Sequence, residues 1–124
     1  MHLTRHDFEK LVVLALDDLP PYFQEKISNV EVLVKEWPSR RELRDAGVPP
    51  GHTLLGLYSG IPLTERTHNY GMVPPDTITL YQGPIEQSAA DIAELPEVVR
   101  HTVIHEFAHH FGISDDRLRE LGAY

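Results

Sequence analysis

Residues 101–116 read H-T-V-I-H-E-F-A-H-H-F-G-I-S-D-D, and no other stretch of this chain constrains its folding as strongly. Within it His105, Glu106 and His109 form H-E-x-x-H, followed by Gly112 and then Asp115. The motif lies in a helical run over residues 96–111, where Val98, Val99, Val103, Phe107 and Ala108 recur at helical spacings. Pro96 suits the first helical turn, where its missing N–H costs nothing, and Gly112 stands where a left-handed helix stop belongs. On such a helix, side chains four apart share a face and lie about 6 Å apart along the axis. Two imidazoles in that relation can hold one divalent ion, and Glu106 can point at a water on that ion as general base. Asp115 follows the glycine by three residues, so the returning chain can supply a third ligand. The rest of the chain reads as a scaffold that presents this helix.

Each residue also has a blander role to set beside the chemical one. The helix itself can be a purely structural amphipathic one. Glu106 can serve as a surface ion-pair partner of Arg100 or Arg117, and Asp115 competes with Asp116, since both suit the first turn of a following helix. The spacing favours Asp115. His101 shares the face of His105 and His109 but lies about 12 Å along the axis from His109, too far for both to approach an ion to about 2 Å. It is expected to pack or to support the ligands. His110 is rotated about 100° from His109 and points elsewhere.

Composition excludes several classes. The 124 residues suit a single domain with a modest core, and a hydrophobic fraction of 41% argues against disorder. There is no cysteine, so neither a disulfide framework nor a thiolate zinc site is possible. A net charge of −8 makes nucleic-acid binding an unexpected role, because phosphate contacts need clustered Lys and Arg. The first ten residues carry no long apolar core, and no apolar run approaches the ~20 residues of a membrane span, so cytoplasmic residence without a membrane partner is the expectation.

In chain order, residues 4–18 form a first helix with Thr4 as cap and Phe8, Leu11, Val12, Ala15 and Leu19 on one face, ended by Pro20 and Pro21. Residues 22–27 add a short turn of helix. Residues 30–36 alternate, Val30, Val32 and Val34 against Glu31, Leu33 and Lys35, as a strand does. Residues 37–52 read as an irregular loop or short helix, and residues 53–58 as a second strand. A polar connection over 61–75 leads to a third strand, Asp76–Tyr81, and Pro84 opens a short helix reaching Ala90. After the motif helix, Ser114 caps a last one through Arg117, Leu118 and Leu121. The sum is an α+β domain spanning residues 1–124, with a small sheet of three or more strands.

The extended pattern H-E-x-x-H-x-x-G-x-x-D resembles the zincin metallopeptidases. Its glycine-plus-three spacing is like that of the metzincins, with aspartate in place of their third histidine. Two upstream segments, L-L-G-L-Y-S-G-I-P-L-T-E-R-T over residues 54–67 and D-T-I-T-L-Y-Q-G-P-I over residues 76–85, resemble a small family of bacterial zinc metallopeptidases with a minimal zincin fold. The likeness runs from about Thr4 to the end. Metzincins carry a methionine turn after the third ligand, whereas residues 116–124 contain no Met, so this is no true metzincin. The resemblance implies one Zn2+ held by His105, His109 and Asp115, with Glu106 as catalytic base and a peptide or protein as substrate. It further implies that a sheet edge above the motif helix pairs with extended substrate, with Asp76–Tyr81 either that edge or an ordinary sheet strand. An oxyanion donor is wanted, and Tyr70, His68, Arg66, Tyr81 and Tyr124 are the candidates. The alternative is an inactive zincin-like module that binds metal or a partner protein.

Overall fold

A computed structural model describes residues 2–60 and 75–123. The first helix, α1 (Arg5–Asp17), is capped by the Thr4 hydroxyl, which accepts from the Asp7 N–H at 3.1 Å. Pro20 and Pro21 end that run, and Pro21 opens α2 (Pro21–Ile27). The alternating segment becomes β1 (Val30–Lys35), half-buried at Val30, Val32 and Val34 and exposed at Glu31, Leu33 and Lys35. A short helix α3 (Arg40–Asp45) follows, closed by a capping box in which Ser39 and Glu42 satisfy each other's backbone N–H groups. The second strand, β2 (Gly56–Ser59), starts later than the pattern of residues 53–58 suggests. Then come β3 (Asp76–Tyr81), α4 (Gln82–Ser88), a 3-10 turn (Ile92–Glu94), α5 (Leu95–Phe111) and α6 (Asp115–Glu120).

The sheet order is β1-β3-β2, with β1 parallel to β3 and β2 antiparallel to it. This corrects the expectation that Asp76–Tyr81 is the edge above the motif helix. Ile78 and Leu80 are fully buried on one face and Tyr81 on the other. A strand so covered belongs in the middle, and the shorter β2 takes the edge beside α5.

One face of the sheet carries Val30, Val32, Val34, Tyr58, Ile78 and Leu80 into the core, where α1 and α5 pack over it. Phe8, Val12 and Ala15 of α1 meet the face of α5 that bears Leu95, Val99, Val103 and Phe107. Phe107 is the aromatic centre, its ring 6.1 Å from that of Phe23 and 5.4 Å from that of Tyr58. Each such side chain contributes about 1.5–3 kcal/mol by leaving water, so the seating of α5 is over-determined. Gly56 brings β2 against it, since a Cβ there would stand 2.8 Å from Thr102 Cγ2 and 3.2 Å from the Thr79 carbonyl oxygen. Among the described residues no helix is long and apolar enough to cross a membrane.

Candidate metal and catalytic site

Helix α5 has Pro96 in its first turn and ends at Gly112, whose φ of 65° is left-handed. The Ile113 N–H closes that end onto the Ala108 carbonyl at 2.9 Å, and this turns the chain into α6. The Ser114 hydroxyl caps α6 by accepting from the Arg117 N–H at 3.2 Å. With Val99, Val103 and Phe107 buried, His101, His105 and His109 fall on one exposed stripe, four residues apart. Asp115 and Asp116 stand exposed at the start of α6.

Glu106 is half-buried beside that stripe. Its Oε1 accepts the Tyr58 N–H at 3.0 Å, rather than pairing with an arginine. Arg100 pairs with Asp18 and Arg117 with Glu120, so both ion-pair alternatives for Glu106 are corrected. Burial pushes the Glu106 carboxyl above the ordinary carboxylate range, against the opposing pull of the Tyr58 N–H and of His109 and His110. Burial and the neighbouring His101 push His105 below the usual imidazole range, while Asp115 pulls the other way. His105 therefore favours its neutral form, the one with a lone pair to donate.

The strand geometry explains the Tyr58 contact. The Tyr81 N–H donates to the Leu55 carbonyl at 2.9 Å, and Gly56 lies opposite Leu80. In an antiparallel ladder this directs the main chain of Leu57 and Ser59 at β3 and that of Gly56 and Tyr58 outward. The outward N–H of Tyr58 meets Glu106. The Tyr58 side chain is pinned as well, with its hydroxyl 2.7 Å from Asp76 Oδ2 and its ring stacked on His110 at 4.1 Å. His110 thus points away from the stripe, as expected.

Between β2 and α5 opens a cleft of about 240 Å³, walled by Leu54, Leu55 and Gly56 on one side and by His101, His105 and Glu106 on the other. A second hollow of about 440 Å³ continues it past Leu55, His101 and Thr102 to Glu94 and Glu97. His101 is thus an exposed member of the cleft wall, its ring 4.2 Å from that of His105, and no part of the packing.

The expected convergence of His105, His109 and Asp115 is not drawn closed. Among the described residues no three His, Asp or Glu side chains gather around one point. The His105 ring lies beside that of His101, although Asp115 is near enough to act on His105 electrostatically. All three side chains are exposed, so packing does not fix their rotamers. Asp116 is engaged by Arg119 at 3.0 Å. Of the oxyanion candidates, Tyr81 is fully buried with its hydroxyl on Glu42. Arg66, His68, Tyr70 and Tyr124 lie outside the described residues, as does most of the polar connection over 61–75. Sequence reasoning missed the Tyr58 main chain, because a backbone N–H leaves no side-chain signature.

A conserved hypothetical protein from Thermo thermophilus has a similar structure, with a TM-score of 0.54 and 24% identity over 88% of this chain and 94% of that one. At that identity the likeness speaks for the fold alone. No curated protein matches the chain. The family described as zincin-like metallopeptidase matches residues 27–123, which includes every described strand, the cleft and both helices of the motif. This chain belongs to the zincin-like metallopeptidase family.

Proposed function

We propose that the protein is a zinc-dependent peptidase in which His105, His109 and Asp115 hold one ion and Glu106 is the general base. The observation that carries this reading is the setting of Glu106, half-buried beside the exposed His105–His109 stripe and hydrogen-bonded to an outward N–H of the edge strand. The donor set fits the ion: two imidazoles and a carboxylate suit zinc, and iron or manganese as well. All three side chains are exposed and free to change rotamer, a motion of picoseconds to nanoseconds.

Zinc, when bound, supplies Lewis acidity and lets a neighbouring water lose its proton near neutral pH. Glu106 accepts that proton, and its burial-raised basicity suits the task. The same carboxyl then donates to the leaving amine. Tyr58 holds Oε1 at 3.0 Å, which leaves Oε2 for the proton transfer. The outward main chain of Gly56 can pair with an extended peptide lying in the cleft. A noncatalytic zincin-like module that binds metal or a partner protein is the second reading.

The test is zinc content before and after chelation, run with cleavage of a broad peptide library. Wild type is expected to hold one zinc and to cleave, while Glu106→Gln keeps the zinc and loses activity by about 10²–10⁴-fold. A wild type that holds zinc yet cleaves nothing leaves the binding module as the better account. No stoichiometric metal removes both.

A further inference from the structure

The outer strand β1 has a main-chain edge that no other described strand covers. The ladder fixes which residues face out. The Tyr81 N–H points at β2, so Ile78 and Leu80 direct their main chain at β1. In the parallel pair their partners are Glu31, Leu33 and Lys35, which leaves Val32 and Val34 turned outward. The Arg5 guanidinium confirms the phase by donating to the Val34 carbonyl at 2.8 Å. Beside this edge runs an apolar groove of about 350 Å³, walled by Val12, Val13 and Leu16 of α1 and by Val32, Leu33 and Val34 of β1. Val13 is 58% exposed there.

We propose that β1 is a self-association edge, pairing antiparallel with β1 of a second copy about a two-fold axis at Leu33. Val30 shares the outward phase, so five registers, centred on each residue from Val30 to Val34, pair outward valines with one another. Only the Leu33 register sets Glu31 opposite Lys35 of the partner copy, and it does so twice by symmetry. In the other four, Glu31 faces Asn29, Leu33, Trp37 or the partner copy's own Glu31, so its charge is unmatched or repelled. The chosen register makes Glu31–Lys35 a pair without ladder hydrogen bonds, the closer kind, in which side chains interact most. It also joins the two Leu33 side chains, 37% exposed in the single chain, and points Val32 and Val34 of the partner copy toward the α1 groove. Two existing contacts must yield. Arg5 has to leave the Val34 carbonyl, and Lys35 has to share itself with Glu42, 3.4 Å away. Both are long, half-exposed side chains whose surface contacts are weak. The joined sheet has six described strands and leaves the cleft beside β2 open.

Light scattering and sedimentation on the full chain test this directly. The mass is expected to rise from 14.1 kDa toward twice that value with concentration. Glu31→Lys alone and Lys35→Glu alone each set like charges opposite one another and weaken association about tenfold or more, while the double reversal restores it. Both positions are exposed, so circular dichroism is expected to stay unchanged. Amide exchange at Val32 and Val34 gives a reading independent of any variant and slows as protein concentration rises. A chain that stays monomeric up to ~1 mM overturns the proposal. So does association indifferent to the single reversals, a double reversal that regains nothing, or exchange independent of concentration.

Discussion

Replacing Gly56 by alanine adds one methyl where the edge strand meets the motif helix. The new carbon would lie 2.8 Å from Thr102 Cγ2, 3.2 Å from the Thr79 carbonyl oxygen and 3.5 Å from Leu80 Cδ2. Thr102 cannot turn aside cheaply, because it is buried and its hydroxyl donates to the Val98 carbonyl at 2.7 Å. Overpacking of this kind costs about 1–3 kcal/mol, offset by about 0.4–1 kcal/mol from the less flexible unfolded chain. The net loss is about 1–2 kcal/mol, or about 4–8 °C in Tm at this chain length. Thr102→Ser keeps the hydroxyl and removes the offending methyl, at a cost of about 0.5–1.5 kcal/mol alone. In the double variant the methyl of alanine fills the space left by the threonine methyl, so the two losses fall short of their sum by about 1 kcal/mol. Urea unfolding of the four proteins measures this cycle. Losses that simply add would mean that Gly56 does not set the approach of β2 to α5, and the account of the Glu106 setting would fall with it.

Two further outcomes follow from individual contacts. The Tyr81 hydroxyl and the Ser39 backbone hold Glu42 at about 2, below its ordinary 4.5. A folded-state value lowered in this way adds stability that is complete above pH 4.5 and drains away as pH falls toward 2. Tyr81→Phe is expected to flatten that loss, read as the change in urea midpoint between pH 7 and pH 3; parallel curves for the two proteins would refute it. At the start of α6, Asp115→Asn is expected to lower zinc affinity about tenfold or more, whereas Asp116→Asn, whose carboxylate pairs with Arg119, leaves it unchanged. Equal effects in zinc titrations would show that spacing does not pick the third ligand.

Much of this architecture could be read from local patterns. Alternation marked β1, the Thr4 and Ser114 caps marked α1 and α6, and Gly112 marked the end of α5 at the residue where φ turns positive. These signals are local because capping and left-handed stops are decided within a few residues. Residues 37–52 read as an irregular loop or short helix, and the Ser39–Glu42 box is the local signal that settles it as α3. The order of strands was not legible. Alternation tells which face a side chain takes, not which neighbour a strand finds, and the family likeness offers Asp76–Tyr81 for the edge that β2 occupies. At the site, the histidine stripe followed from helical spacing. The hold on Glu106 did not, because it comes from a main-chain N–H 48 positions upstream.

The central place of β3 also governs how the chain comes together. Val30 pairs with Asp76 and Gly56 with Leu80, while β1 and β2 never touch through their ladders. Until β3 leaves the ribosome, both earlier strands lack their partner within the sheet, and each then gains it by closing a loop over the intervening chain. The sheet therefore cannot begin to assemble before Asp76–Tyr81 is made, and a nascent chain that stops short of it keeps both strand edges exposed.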